Sequence, residues 1–63
     1  MHGIQIVKIK TQVLNLLSLT PVNTDDIIEF LQESPSMVLS VLCELELEGL
    51  ITKLKGGFYL RSI

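Results

Sequence analysis

The sequence predicts a mainly α-helical fold that ends in one small β-hairpin. Hydrophobic residues recur at helical spacing in three segments of the first 48 residues. Residues typical of helix starts and stops frame these segments. A Gly56-Gly57 pair then separates two short β-prone segments near the C-terminus. Three helices followed by a hairpin, the wing, are the parts of a winged helix-turn-helix domain.

The first helix is predicted over residues 7–18, because apolar residues recur there with a helical period. Thr20-Pro21 ends it, since the residue before a proline is pushed out of the helical region. Residues 4–9 also alternate, so a short N-terminal strand remains an alternative. Residues 1–6 are expected to be poorly ordered or additions to the natural chain. The predicted buried positions are Ile6, Ile9, Val13, Leu16 and Leu17.

The second helix is predicted over residues 25–32. Thr24, or as a second choice Asn23, is expected to be the N-cap. Asp25 and Asp26 then fall in the first turn, where negative charge favours the positive end of the helix dipole. The predicted buried face consists of Ile27, Phe30 and Leu31.

The third helix is predicted over residues 35–48. Ser34 is the expected N-cap, Pro35 the first helical residue and Gly49 the residue that closes the helix. Only two or three residues separate this helix from the second, which requires a sharp turn. Its predicted core positions are Val38, Val41, Leu42 and Leu45.

The hairpin is predicted to turn through the three residues 55–57, which pairs Leu54 with Phe58. A two-residue loop would instead mix polar and apolar side chains on both faces. With the longer loop, one face is predicted to lie on the core: Leu50, Thr52, Leu54, Phe58 and Leu60. The other is predicted to face outward: Ile51, Lys53, Tyr59 and Arg61. Residues around Val22 are candidates for a third strand.

Length and composition limit the classes of function. Sixty-three residues form a single domain, residues 1–63, yet 48% of them are hydrophobic. We therefore expect a piece of a larger protein or a domain that pairs with another surface, with a dense small core as the alternative. The lone Cys43 and the lone His2 provide neither a disulfide nor a zinc site, so we expect no enzyme, no cofactor and no metal. A cytoplasmic location without membrane segments is expected.

Charge is segregated along the chain. Residues 11–52 contain all seven acidic side chains and no basic one, whereas the flanks contain all five basic side chains. The third helix carries Glu44, Glu46 and Glu48. Such a helix would repel DNA phosphates, which disfavours sequence-specific reading by it.

Three segments together resemble the C-terminal winged-helix domain of the DNA-processing protein A (Smf-type) family: "TDDI", "SPSMVLSVLCELELEGLI" and "GGFYLR". The chain departs from that family at Gln32 and Glu33, where a glycine and a leucine are usual, and at Phe58, where a basic residue is common. The resemblance implies a bacterial cytoplasmic protein that binds incoming single-stranded DNA in natural transformation and loads the RecA recombinase. In that family a Rossmann-like domain binds DNA and self-associates, and the winged helix is an accessory module.

Two interaction hypotheses follow. In the first, the wing makes weak DNA contact through Lys53, Lys55, Tyr59 and Arg61, with the tyrosine stacking on a base. The alternative function in this class is the DNA-binding domain of a small winged-helix transcription regulator, which the acidic third helix argues against.

In the second hypothesis, apolar residues off the core stripe of the third helix dock a protein. The expected partner is basic and is either another domain of the parent protein or a second copy. The family resemblance by itself implies a partner from the recombinase pathway. The alternative is that Leu47 packs under the wing and Leu39 against the second helix. The predicted interaction residues are Met37, Leu39, Cys43 and Leu47.

Overall fold

The computed structural model describes residues 2–18 and 20–62, with side chains from Ile4 onward. Within these residues, three helices and a three-stranded antiparallel sheet confirm the predicted winged helix-turn-helix, including the third strand at Val22. The strand order in the sheet is β1-β3-β2. The elements are α1 (His2–Leu16), β1 (Val22–Asn23), α2 (Thr24–Leu31), α3 (Pro35–Leu47), β2 (Ile51–Leu54) and β3 (Phe58–Arg61).

Helix α1 begins at His2, five residues before the predicted start, so residues 2–6 are helical and the alternative strand over residues 4–9 is wrong. The helix ends at Leu16, two residues early, although the Leu17 N–H still donates to the Val13 carbonyl at 3.0 Å. Five predicted positions face the core. Ile9, Val13 and Leu17 are buried, and Ile6 and Leu16 are half-buried against them.

Helix α2 is capped by Asn23 and not by Thr24. The Asp25 N–H donates to Asn23 Oδ1 at 2.8 Å. The Thr24 hydroxyl is engaged elsewhere, since it donates to the Gly57 carbonyl at 2.7 Å, and the Thr24 N–H donates to the same oxygen at 2.9 Å. Thr24 therefore fastens the turn of the wing to the start of α2.

Phe30 was assigned to the core of α2, and that prediction is wrong. Its side chain is 66% exposed, whereas Ile27 is buried and Ile28 and Leu31 pack partly against the core. In so short a helix, Ile27 and Leu31 form a continuous apolar face with either Ile28 or Phe30. The sequence pattern therefore did not decide which of the two is buried. Phe30 lines a groove of about 530 Å³ with Gln12, Asn15, Leu16, Ser18 and Thr20.

The turn between α2 and α3 places a non-glycine residue in the left-handed region. Gln32 has φ 55° and ψ 32°, and its N–H donates to the Ile28 carbonyl at 3.0 Å. In the family that the sequence resembles, a glycine is usual at this position. An L-residue there costs about 1–2 kcal/mol in backbone strain.

Helix α3 starts and ends as the sequence predicts to within one residue. Ser34 Oγ accepts a hydrogen bond from the Met37 N–H at 3.3 Å, which confirms the N-cap. Past Leu47 the chain closes through Gly49, whose φ is 77°. The four predicted core positions, Val38, Val41, Leu42 and Leu45, are all fully buried.

The wing has the predicted register but the opposite face on the core. Leu54 pairs with Phe58, which confirms the three-residue turn. Ile51 and Tyr59, assigned to the outside, are only 2% and 6% exposed. Leu54 and Phe58, assigned to the core, are 37% and 40% exposed.

The cap of α3 explains the inversion. The Leu50 N–H donates to the Leu45 carbonyl and the Gly49 N–H to the Glu46 carbonyl, each at 3.0 Å. This pair of bonds is the Schellman motif, in which the residue after the glycine packs back on the helix it closes. Leu50 therefore belongs to the helix end, and alternation along the strand begins with Ile51 pointing inward.

Candidate functional site

The outward side of α3 carries a row of apolar side chains at Leu39, Cys43 and Leu47, which we call the α3 row. These residues are four apart, so they lie along one side of the helix. Leu47 is 82% exposed and Leu39 49%, and Cys43 is also exposed. The alternative that Leu47 packs under the wing is therefore wrong. The fourth predicted interaction residue, Met37, packs partly against the core and is not in the row.

Glutamates border the α3 row, and one lysine of α1 reaches two of them. Lys10 Nζ lies 2.8 Å from Glu44 Oε1 and 3.2 Å from Glu48 Oε2. The hydrogen bond to Glu44, followed by the one to Glu48, raises the pKa of Lys10 above its ordinary value of 10.5. Within the described residues no cation forms an ion pair with Glu46, so the exposed side of α3 remains acidic.

The four residues predicted to contact DNA do not share one exposed face. Lys53 and Lys55 are exposed. Tyr59 is buried in the core, so its ring cannot stack on a base without leaving the fold. Arg61 is half-buried, and its Nε is buried without a hydrogen-bond partner in the described part of the chain. The premise of a single outer face is wrong, and DNA contact by Lys53 and Lys55 stays a prediction.

The face of the sheet that does point outward consists of Leu54, Phe58 and Leu60, which we call the wing outer face. The Phe58 ring lies beside the turn, since a Cβ added at Gly56 would come within 3.6 Å of Phe58 Cδ1. At the other end of this face, the hydroxyls of Thr52 and Ser62 are 2.7 Å apart. The sequence pattern predicted that Leu54, Phe58 and Leu60 face the core. The Gly49-Leu50 cap was the signal that would have reversed the assignment.

The two exposed apolar surfaces have opposite charge. Residues 35–49 carry three glutamates and no cation, whereas residues 50–62 carry Lys53, Lys55 and Arg61 and no anion. Both lysines are exposed, and Lys55 lies in the turn next to Leu54, whereas Lys53 pairs with Tyr59 and so lies on the other face of the sheet. The exposed apolar residues of α3 therefore lie in an acidic segment and those of the wing in a basic one.

Across residues 2–18 and 20–62 there is no group of three His, Cys, Asp or Glu side chains placed to hold a metal ion. In the same ranges no helix has the length and hydrophobicity needed to span a membrane.

Comparison with known protein families gives one finding. A family model described as the DprA winged helix domain matches residues 8–57. Neither the curated proteins nor the solved structures include a match to the chain. The matched range extends from α1 to the turn of the wing and so covers most of the fold described above. This chain belongs to the DprA winged helix domain family.

Proposed function

We propose that this domain is an accessory, non-catalytic module of a cytoplasmic bacterial DNA-processing protein, and that it acts by docking a protein partner on the α3 row. The family supports the DNA-processing role. The observation that carries the docking role is the exposure of the row itself, with Leu47 82% open to solvent on a rim of glutamates.

The charge of α3 favours a protein over DNA as its ligand. A helix that enters the major groove meets about one phosphate charge per 1.7 Å of duplex, and its affinity comes largely from counterions that basic side chains release. The outward side of α3 has no basic side chain, and Lys10 is already shared between Glu44 and Glu48. Apolar residues surrounded by charge are typical of protein interfaces.

A titration followed by NMR tests this proposal. The ¹⁵N-labelled chain is mixed with the Rossmann-like domain of the DNA-processing protein and, separately, with the RecA recombinase of the same organism. We expect amide shifts at residues 39–47 with at least one of them, and loss of those shifts in Leu47→Gln. Val7→Gln is the matched control, because Val7 is a 62% exposed apolar residue of α1 and does not belong to the row. Unchanged α3 amides with both proteins would refute the docking role.

A second candidate function is weak DNA contact by the wing. Lys53 and Lys55 are exposed on the wing, and Phe58 is an exposed aromatic side chain on its outer face. Aromatic rings and nearby cations are the elements of single-stranded DNA binding. In this version Phe58 takes the stacking role that the sequence suggested for Tyr59.

A further inference from the structure

We propose that the α3 row of one copy of this chain binds the wing outer face of a second copy. This inference rests on the proposed docking role of α3 and names its partner. It starts from two apolar surfaces. One is the exposed row of Leu39, Cys43 and Leu47 on α3, and the other is the wing outer face, where Leu54 and Phe58 are exposed and Leu60 is half-buried.

Charge complementarity selects the wing as the occupant of the α3 row. The row lies on a segment with three glutamates and no cation, and the wing has three basic residues and no anion. Glu46 is not ion-paired in the described part of the chain, and Lys53 and Lys55 make no ion pair there either. Lys55 lies in the turn next to Leu54, whereas Lys53 pairs with Tyr59 on the other face of the sheet. Bringing the acidic α3 segment to the basic wing steers and orients association, whereas two α3 rows face to face would bring like charges together.

The shapes of the surfaces also suit such a contact. The α3 row is a ridge of side chains four residues apart, with the small Cys43 between two leucines. The sheet face offers a branched and an aromatic side chain on neighbouring strands at the paired positions Leu54 and Phe58. Because two different surfaces meet, the contact is heterologous. Each copy therefore uses one of its two surfaces in a pair and has the other one free.

The contact surface is small, so association is expected to be weak. Three side chains on each side place it at the low end of specific interfaces. We expect a dissociation constant of about 0.1–1 mM at low salt. Added salt should weaken it, since exposed charges are screened beyond about 10 Å at 0.1 M ionic strength.

Sedimentation equilibrium of the 63-residue chain tests the proposal with one variant in each surface. Leu47→Gln removes the α3 row and Phe58→Thr removes the wing outer face. Both sites are exposed, and thermal unfolding checks that each variant is folded. We expect the dissociation constant to rise at least about tenfold in either variant and to stay within about twofold in the control Val7→Gln.

Mixing the two variants in equal amounts is the decisive step. Leu47→Gln keeps an intact wing and Phe58→Thr keeps an intact α3 row, so the mixture should associate although neither variant does so alone. An independent pair, Glu46→Lys and Lys55→Glu, should likewise lose association singly and regain it when mixed. Glu29→Lys on α2 is the matched charge control and should associate as the wild type does.

Three outcomes would overturn the inference. They are a wild-type chain that is monomeric at 1 mM, association that neither variant weakens, and two weakened variants that fail to recover on mixing. None of them refutes the docking role of α3, which is lost only if the α3 amides also fail to respond in the titration with the two proteins named above.

Discussion

Helix α3 and the wing are adjacent in sequence, yet they present surfaces of opposite character. On α3 the exposed apolar residues are accompanied by three glutamates, and on the wing by lysines. In a winged helix that reads DNA, both elements would need positive charge to approach the phosphates. Here only the wing has it. The difference teaches that the winged-helix fold by itself does not supply the positive charge that reading DNA with α3 would need.

The largest expected effect is on stability, when the two aromatic residues of β3, one on each face of the sheet, are replaced by alanine one at a time. Tyr59→Ala should remove about 3–5 kcal/mol of stability, because it empties a core site. That loss is comparable with the whole stability of so small a domain. Phe58→Ala, the neighbouring control, should cost about 1 kcal/mol or less. Thermal or urea unfolding measures both, and equal losses would mean that the sheet face is assigned wrongly.

The next effect concerns DNA contact by the wing. Lys53→Ala combined with Lys55→Ala should weaken binding of single-stranded DNA at low salt and reduce the slope of log affinity against log salt by about 1–2. Fluorescence anisotropy over a salt series measures this. Lys8→Ala on α1 is the control and should leave the slope unchanged. If the wild-type chain shows no binding at low salt, the second candidate function is excluded.

A smaller effect is expected at the turn that leads into α3. Gln32→Gly should raise stability by about 1 kcal/mol, because glycine relieves a φ of 55° at some cost in unfolded-chain entropy. For a domain of this size that is a rise of about 4–8 °C in Tm. Gln32→Ala, which keeps the strain, should give no such rise. Gln32→Gly should leave the α3 row and the wing outer face unchanged. A change in stability can therefore be distinguished from a change in docking.

The smallest effect is the pH dependence contributed by Lys10. Its pKa is raised in the folded state by Glu44 and then Glu48. The contribution is therefore fully present below the unfolded pKa of 10.5 and is lost as pH rises through the higher folded value. Between pH 9 and 12, the Tm of the wild type should fall more steeply than the Tm of Lys10→Met. Parallel curves would show that the ion pairs contribute nothing measurable, as many exposed pairs do.

The sequence predicted the parts of the fold that local rules determine. Ser34, Pro35 and Gly49 framed α3 correctly because caps act within a few residues. The three-residue turn of the wing followed from pairing Leu54 with Phe58. These features need no knowledge of what packs against them.

The errors occurred where tertiary packing decides. Phe30 lies at helical spacing from the other apolar residues of α2, but Ile28 does too, and it is Ile28 that packs against the core. Both faces of the hairpin have apolar residues, so counting them selected the wrong face. Only the Schellman contact of Leu50 with the end of α3 sets which face turns inward. The candidate site changed as a result, because Tyr59 lies in the core and Phe58 lies on the outer face.

The central claim is that α3 does not face DNA and that any DNA contact occurs on the wing. An NMR titration of the ¹⁵N-labelled chain with single-stranded and duplex DNA at low salt tests it most directly. We predict amide shifts confined to Lys53, Lys55 and Phe58, with no change at residues 39–47. Saturable shifts along α3 on addition of duplex DNA would contradict the claim.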